Sequence, residues 1–431
     1  MSLIFIVSIS IFVITFGLIL TERFHRTIIG LAGAILMVLA GNMFEFYDSK
    51  EVVEAIDFNT LGLLFGMMVI VAILEKTGFF EYLAILVAKK TKGKPWALVV
   101  ALGTLTTLLS LILDNVTTII LIVPVTIIIT QLLKINPTPI LMAEALLSDT
   151  GGVATLVGDP PNIMIGSAAN FSFNDFLIHS MPVVIVAWFA TLITLKFIYK
   201  KELKEVPQNI DQLMAMNEKE AITDPVTVRK ILYVLSFVVL LFLLHSKLHL
   251  MPSMVALIGA FLALWVVSAK KDPQKILEKV ELSVLLFFGS LFVIVGGLEN
   301  AGVLEHLANL ITSGVEDNLL LTAIIVLWSS AILSAIVDNI PLTVAMIPII
   351  SYLETQGVAV GILWWALVFG VGFGGNGSPI GSTANVIVVS KSEQTDTPIT
   401  FKTWFKAGAS VMFVTLTVAT LAIVLFKEMF T

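Results

Sequence analysis

Five carboxyl groups fall inside long apolar runs of this sequence: Asp114, Glu144, Asp149, Asp159 and Asp338. An ionisable side chain at bilayer depth is expensive and marks an ion or substrate path by default. Asp114 and Asp338 are each followed by Asn, at Asn115 and Asn339, and each pair interrupts an apolar stretch that is otherwise helical in character. At such a break a carboxylate, an Asn carbonyl and freed backbone oxygens replace the water around Na⁺, or hold a proton. Capping the broken helix ends is the simpler role for the same residues, and the two roles coexist. Thr117 and Thr343 follow within a turn and add hydroxyls to the candidate set.

A second kind of break is rich in glycine. Gly151, Gly152, Gly158, Pro160 and Pro161 interrupt one apolar run, and Gly374, Gly375, Gly377 and Gly381 interrupt another. Such stretches bare backbone N–H and C=O groups and let a solute approach closely, although tight packing between spans is the plainer use of any single Gly. The two breaks share the skeleton GG-x-x-[TS]-x-x-G-x-x-x-N, which pairs Thr155 with Ser378 and Asn162 with Asn385. These four and Asn376 are candidate solute contacts. Asp159 has no acidic counterpart, since Ser382 stands in its place, so it reads either as an asymmetric proton site or as a cap.

The match extends far beyond the breaks. At a shift of 224, Val69-Ile70-Val71 falls on Val293-Ile294-Val295, Leu74-Glu75 on Leu298-Glu299, Gly78 on Gly302, Glu81 on Glu305 and Leu83-Ala84 on Leu307-Ala308. Asp114-Asn115 meets Asp338-Asn339 and Pro124 meets Pro348 at the same shift, and one residue is lost before the glycine skeletons align. The chain therefore reads as one unit written twice: a transmembrane repeat over 1–199, a hydrophilic linker over 200–230 and a second repeat over 231–431. Paired interrupted segments at matching places in two halves are the best sequence-level pointer to a transporter binding site.

Composition agrees with membrane placement. Of the 431 residues 58% are apolar and 13% charged, where a soluble domain carries about 25% charged residues. The mean hydropathy is +1.01. The expected architecture is an all-α polytopic membrane protein of two inverted-topology repeats, each with five spanning helices, one of them interrupted, plus one re-entrant hairpin. Leu3 to Leu20 lacks a basic leader and a small-residue cleavage site and reads as a first span. Threading the chain in this way puts 22 of the 25 Lys and Arg on one face. The positive-inside rule makes that face cytoplasmic, with the linker inside and both termini outside a cytoplasmic membrane.

Absences narrow the chemistry. There is no Cys, which excludes disulfides, thiolate metal sites and thiol nucleophiles. No basic patch points to nucleic acid. His25, His179, His245, His249 and His306 fall at loops or span ends and take no catalytic role here, and the 15 Met read as packing. No Lys or Arg lies within a span away from its ends, which favours a neutral or cationic solute over a polyanion. An intramembrane protease is disfavoured because Leu156 breaks the Gly-x-Gly-Asp pattern before Asp159. A passive channel would use the same hairpins.

At Asp114-Asn115-Val116-Thr117-Thr118, Gly151 to Asn162, Asp338-Asn339-Ile340-Pro341-Leu342-Thr343 and Gly374 to Asn385 the chain resembles the ion transporter superfamily, within it the ArsB/NhaD group that includes the P protein. The resemblance covers essentially the whole chain. It implies secondary transport by alternating access, often as a homodimer, with H⁺ or Na⁺ as coupling ion, no other cofactor and no enzymatic activity. Dicarboxylate relatives carry Ser where Asp114 and Asp338 stand, which argues against dicarboxylates. The leading expectation is proton-coupled efflux of arsenite or antimonite, for which the resemblance would add an arsenite-stimulated ATPase subunit as a partner. Na⁺/H⁺ antiport is the nearest alternative, and an anion transporter or channel of the same superfamily a further one. Asp114, Asp338, Asp159 and Asp149 are expected to carry the coupling ion. Replacing Asp338→Asn is expected to abolish coupled transport in vesicles while leaving the protein folded; undiminished activity would refute a coupling role.

Overall fold

The computed structural model describes residues 3–21, 23–268, 272–306 and 318–431. Leu307-Ala308, the last pair of the longer repeat match, and the bases Lys270 and Lys271 lie outside the described residues. Everything regular within them is helical. The first half contains α1 (Leu3–Leu20), α2 (Arg26–Met43), α3 (Phe58–Glu75), α4 (Phe79–Lys90), α5 (Pro95–Ser110), α6 (Asn115–Leu133), α7 (Thr138–Gly152), α8 (Pro160–Ala168) and α9 (Met181–Ile198). The second contains α10 (Pro225–Leu244), α11 (Pro252–Ser268), α12 (Leu282–Asn300), α13 (Leu319–Ser334), α14 (Asn339–Thr355), α15 (Gly361–Gly374), α16 (Thr383–Ser392) and α17 (Phe401–Leu425).

Among the described residues seven helices are long and apolar enough to cross a membrane: α2, α3, α6, α10, α12, α17 and the 26-residue run Phe173–Ile198 that ends as α9. Four more, in α1, α5, α11 and α13, are apolar but shorter. The helix starts follow local chemistry. Pro95 and Pro225 open α5 and α10 at positions where a missing N–H costs nothing. Asp57, Asp224 and Thr400 cap α3, α10 and α17 through side-chain oxygens. Pro124 and Pro348 sit inside α6 and α14 without ending them, as neighbouring helices in a membrane allow.

Contacts between the halves are reciprocal. Helix α3 packs on α11 and α12 on α2; α6 packs on α16 and α14 on α8; α9 packs on α17. Such exchange, in which element i touches j′ and j touches i′, is the mark of a two-fold relation. It is consistent with the inverted order that an odd number of crossings per repeat requires. The helices fall into two groups, α1–α3 with α10–α12, and α5–α9 with α13–α17, which meet where α3 lies on α8 and α12 on α14.

The centre of the second group is α7 and α15. Every residue of α7 is buried, and so is every residue of α15 after its first, as expected of helices with no polar outward face. Lipid-facing surface lies elsewhere, for example on Ile28, Ile35 and Leu39 of α2 and on Phe405, Phe413 and Leu421 of α17, all exposed. The linker is hydrophilic but packed. Gln208 N donates to Leu133 O at 2.8 Å, Thr223 N donates to Thr77 O at 2.9 Å, and Lys89 pairs with Glu218 at 2.7 Å. The Lys89 ammonium holds the Glu218 carboxyl below the usual carboxylate range.

Both glycine breaks are built by backbone touching backbone. A Cβ on Gly158 would run into Ser110 O and would lie 2.5 Å from Gly152 O; on Gly381 it would lie 2.5 Å from Gly375 O and 2.9 Å from Ser334 O. Ser110 and Ser334 end α5 and α13, so the same close approach is made twice. Gly158→Ala and Gly381→Ala are each expected to destabilise the protein by about 1–3 kcal/mol, the usual cost of overpacking. Unchanged melting temperatures in detergent for both variants would show that the breaks yield freely.

Candidate functional site

The two tips place their aspartates as helix caps. Asp114 precedes α6 and accepts from Thr117 N at 2.8 Å and Thr117 Oγ1 at 2.6 Å. Asp338 precedes α14 and accepts from Ile340 N at 3.5 Å. Its Oδ2 accepts from Arg26 at 2.8 Å and from Thr383 Oγ1 at 3.1 Å. The two aspartates do not bond to each other. Asp338 borders a cavity of about 340 Å³ with His25 and Arg26 in its wall, and Thr117, the partner of Asp114, borders a separate one of about 190 Å³ with Glu75, Lys279 and Glu281.

Behind the tips lie two more carboxylates, and here the halves cross over. Asn115 of the first tip donates to Asp149 Oδ1 at 2.8 Å, and Ser382 from the break of the second half donates to the same oxygen at 3.1 Å. Asn339 of the second tip donates to Asp159 Oδ2, at the break of the first half, at 3.3 Å. Asp149 and Asp159 are 1% and 2% exposed, so neither reaches bulk water. Asp149 Oδ2 is buried with no partner, a costly state that a bound cation or proton relieves. Thus Asp149, Asp159, Asn115 and Asn339 form one central cluster contributed by both repeats. Ser382, noted from sequence only as the residue opposite Asp159, belongs to it.

The remaining candidates are spent differently. Asn162 Nδ2 donates to Gly152 O at 2.9 Å and Thr155 O at 2.8 Å; Asn385 Nδ2 donates to Gly375 O at 3.0 Å and Ser378 O at 3.3 Å. Each Asn therefore ties the carbonyls on one side of its break to the helix on the other. Thr155 Oγ1 donates to Leu111 O at 2.6 Å, and Thr343 Oγ1 to Asn339 O at 2.8 Å. Ser378 Oγ accepts from Ile380 N at 3.2 Å, and Asn376 Nδ2 donates to Thr150 at 3.1 Å. Only Asn376 Oδ1 and Asn385 Oδ1 of these groups are buried and unpartnered. Gly151, Gly152 and Gly374 end the helices, Gly375 follows α15 as its cap, Gly377 packs on Met412, and Pro160 and Pro161 start α8.

Arg26 is the residue sequence reasoning missed. From sequence it is one of the 22 bases on the cytoplasmic face, but it opens α2 and its guanidinium lies on Asp338, Thr383 and the Phe287 ring. One signal was legible: Pro341 stands where the first repeat has Thr117, so Asp338 had to find donors elsewhere. Glu144, fully buried, accepts from Thr126 Oγ1 at 2.5 Å and leaves Oε2 unpartnered.

A helical bundle of two pseudo-equivalent halves, with paired breaks and carboxylates at their meeting point, defines a membrane transporter. The chain belongs to the citrate transporter family, CitMHS, whose model matches residues 16–370. It is 38% identical over 419 residues to a 46 kDa membrane protein of Mycobacterium leprae, covering 96% of this chain and 97% of that one. It is 32% identical over 483 residues to the human P protein, covering 94% of this chain and 58% of that protein. Among solved structures it resembles the YdaH transporter of Alcanivorax borkumensis, with a TM-score of 0.58 at 12% identity over 88% of this chain and 87% of that one. The likeness to YdaH carries the fold alone. The superfamily and the P protein likeness read from the motifs are thereby borne out.

If Asn162 and Asn385 act as braces, replacing either by Ala strips two carbonyls of their donor. Each variant is then expected to lose about 2 kcal/mol or more of stability with lower turnover and unaltered solute KM. A raised KM at unchanged melting temperature would instead make them solute contacts.

Proposed function

We infer that this chain is a cation-coupled secondary transporter in which the buried aspartates carry protons against an exported solute. The observation that carries this reading is the central cluster: Asp149 with one bare buried oxygen, beside Asp159, each held by an Asn of a hairpin tip. Carboxylates in that state gain most from a proton or a monovalent cation. Two such carboxylates, with amide and hydroxyl groups between them, resemble a cation site more than a site for a polyanion. Arg26, the base that reaches a tip aspartate, is already paired, so a citrate-like trianion would meet no spare positive charge there.

Of the two exported solutes weighed from sequence, Na⁺ now has the stronger case. Arsenite would need the hydroxyls and amides of the candidate solute contacts, yet Asn162, Asn385 and Thr155 donate to backbone carbonyls and Ser378 Oγ accepts from a backbone N–H. We therefore propose Na⁺/H⁺ exchange at Asp149, Asp159 and the two tips, with arsenite/H⁺ exchange as the rival outcome. Everted vesicles with an acid interior and a pH-sensitive dye test this. Added Na⁺ is expected to release protons, and Asp149→Asn to abolish the response. Proton release on arsenite with none on Na⁺ would transfer the function to arsenite efflux, and no solute-dependent proton movement would end the antiport reading.

A further inference from the structure

The two tip aspartates hold equivalent places in the repeats but are held by different means. Asp114 takes two donors from Thr117, three residues on. The residue equivalent to Thr117 is Pro341, which has neither N–H nor hydroxyl to offer. Asp338 instead takes Arg26 and Thr383, and these two bond each other at 2.8 Å. Their own equivalents are Leu250 and Pro160, which can make no such bonds. Three departures from the repeat, at positions 26, 341 and 383, thus converge on one carboxylate.

The partners also sit on opposite sides of a seam. Arg26 opens α2, in the group α1–α3 with α10–α12, whereas Asp338 and Thr383 belong to the hairpin and interrupted helix of the other group. The Arg26 and Asp338 side chains are 28% and 20% exposed and line the cavity of about 340 Å³. A cation entering that cavity meets the same Oδ2 that the guanidinium holds.

We propose that Arg26 is an ionic latch that ties the two helix groups together while Asp338 carries no other cation. This rests on the reading of Asp338 as a cation-carrying group. A proton or Na⁺ on Oδ2 removes the countercharge of Arg26, the guanidinium lets go, and the groups can move past each other. When the cation leaves, Arg26 takes its place and holds the vacant protein still. The latch thereby prevents motion without cargo, which is what exchange, as distinct from leak, requires.

The chain has no Cys, so spin labels at Ile28→Cys on α2 and Val386→Cys on α16 report the seam directly. Without Na⁺ and at alkaline pH the distance distribution is expected to be narrow. With Arg26→Gln it should broaden and gain a longer component, and Arg26→Lys should restore much of the narrow one. In liposomes the Gln variant should leak protons several-fold faster without added solute. Pro341→Thr, which gives Asp338 the local donors of the first repeat, is expected to loosen the seam in the same direction without touching Arg26. An unchanged distribution in both Arg26→Gln and Pro341→Thr overturns the latch whatever the protein exports. Failure of antiport in the parent with a broadened distribution in the variants would instead remove the proposed function and keep the tie.

Discussion

Backbone that leaves the helix inside a bilayer must find its hydrogen bonds within the protein, and this structure is organised around meeting that demand twice. At each glycine break the carbonyls that end one half-helix would face hydrocarbon unpaired. Asn162 and Asn385 answer by spanning their breaks with two bonds each. Glycine pairs let the two strands of each break approach to backbone contact, and Ser110 and Ser334 close the far side. Burial of α7 and α15 follows, because irregular backbone at that depth is tolerated only when other helices cover it.

Once the breaks are braced, the carboxylates become affordable. Asp149 lies in the last turn of one half-helix and Asp159 holds the cap position at the start of the next, so both stand where backbone dipoles change direction and small polar neighbours are available. Each meets an Asn from a hairpin tip, and Ser382 completes the shell of Asp149 from the other half. The polar centre is therefore a by-product of the same interruptions that the asparagines secure. Loss of a brace and loss of an acid act on one assembly, though at different steps.

Local features were legible in the sequence and nonlocal ones were not. Membrane class, the positions of the breaks and the duplication all follow from periodicity and from residue types that act on their own backbone. Asp114, Asp338, Pro160 and the glycines are of this kind. The convergence of Asn115 and Ser382 on Asp149, and of Asn339 on Asp159, depends on which helices pack together, and no spacing along the chain encodes it. For the same reason Asn162 and Asn385 looked like solute contacts: their pairing across the duplication reports a shared task, and bracing is as demanding a task as binding. Arg26 was hidden because its partner lies 312 residues away, although Pro341 marked the vacancy it fills.

The crossed arrangement has a consequence for how such a protein is inherited. Neither repeat contains a complete polar centre, since Asp149 of the first takes a hydroxyl from Ser382 of the second, and Asp159 of the first takes its amide from Asn339 of the second. Two separate half-length ancestors would have depended on meeting in the right proportion and in opposite orientation within the same membrane. Joining them in one chain removes both uncertainties. It also frees the halves to specialise, so that Asp159 and Ser382, or Thr117 and Pro341, diverge as complements where identical copies would have had to change together.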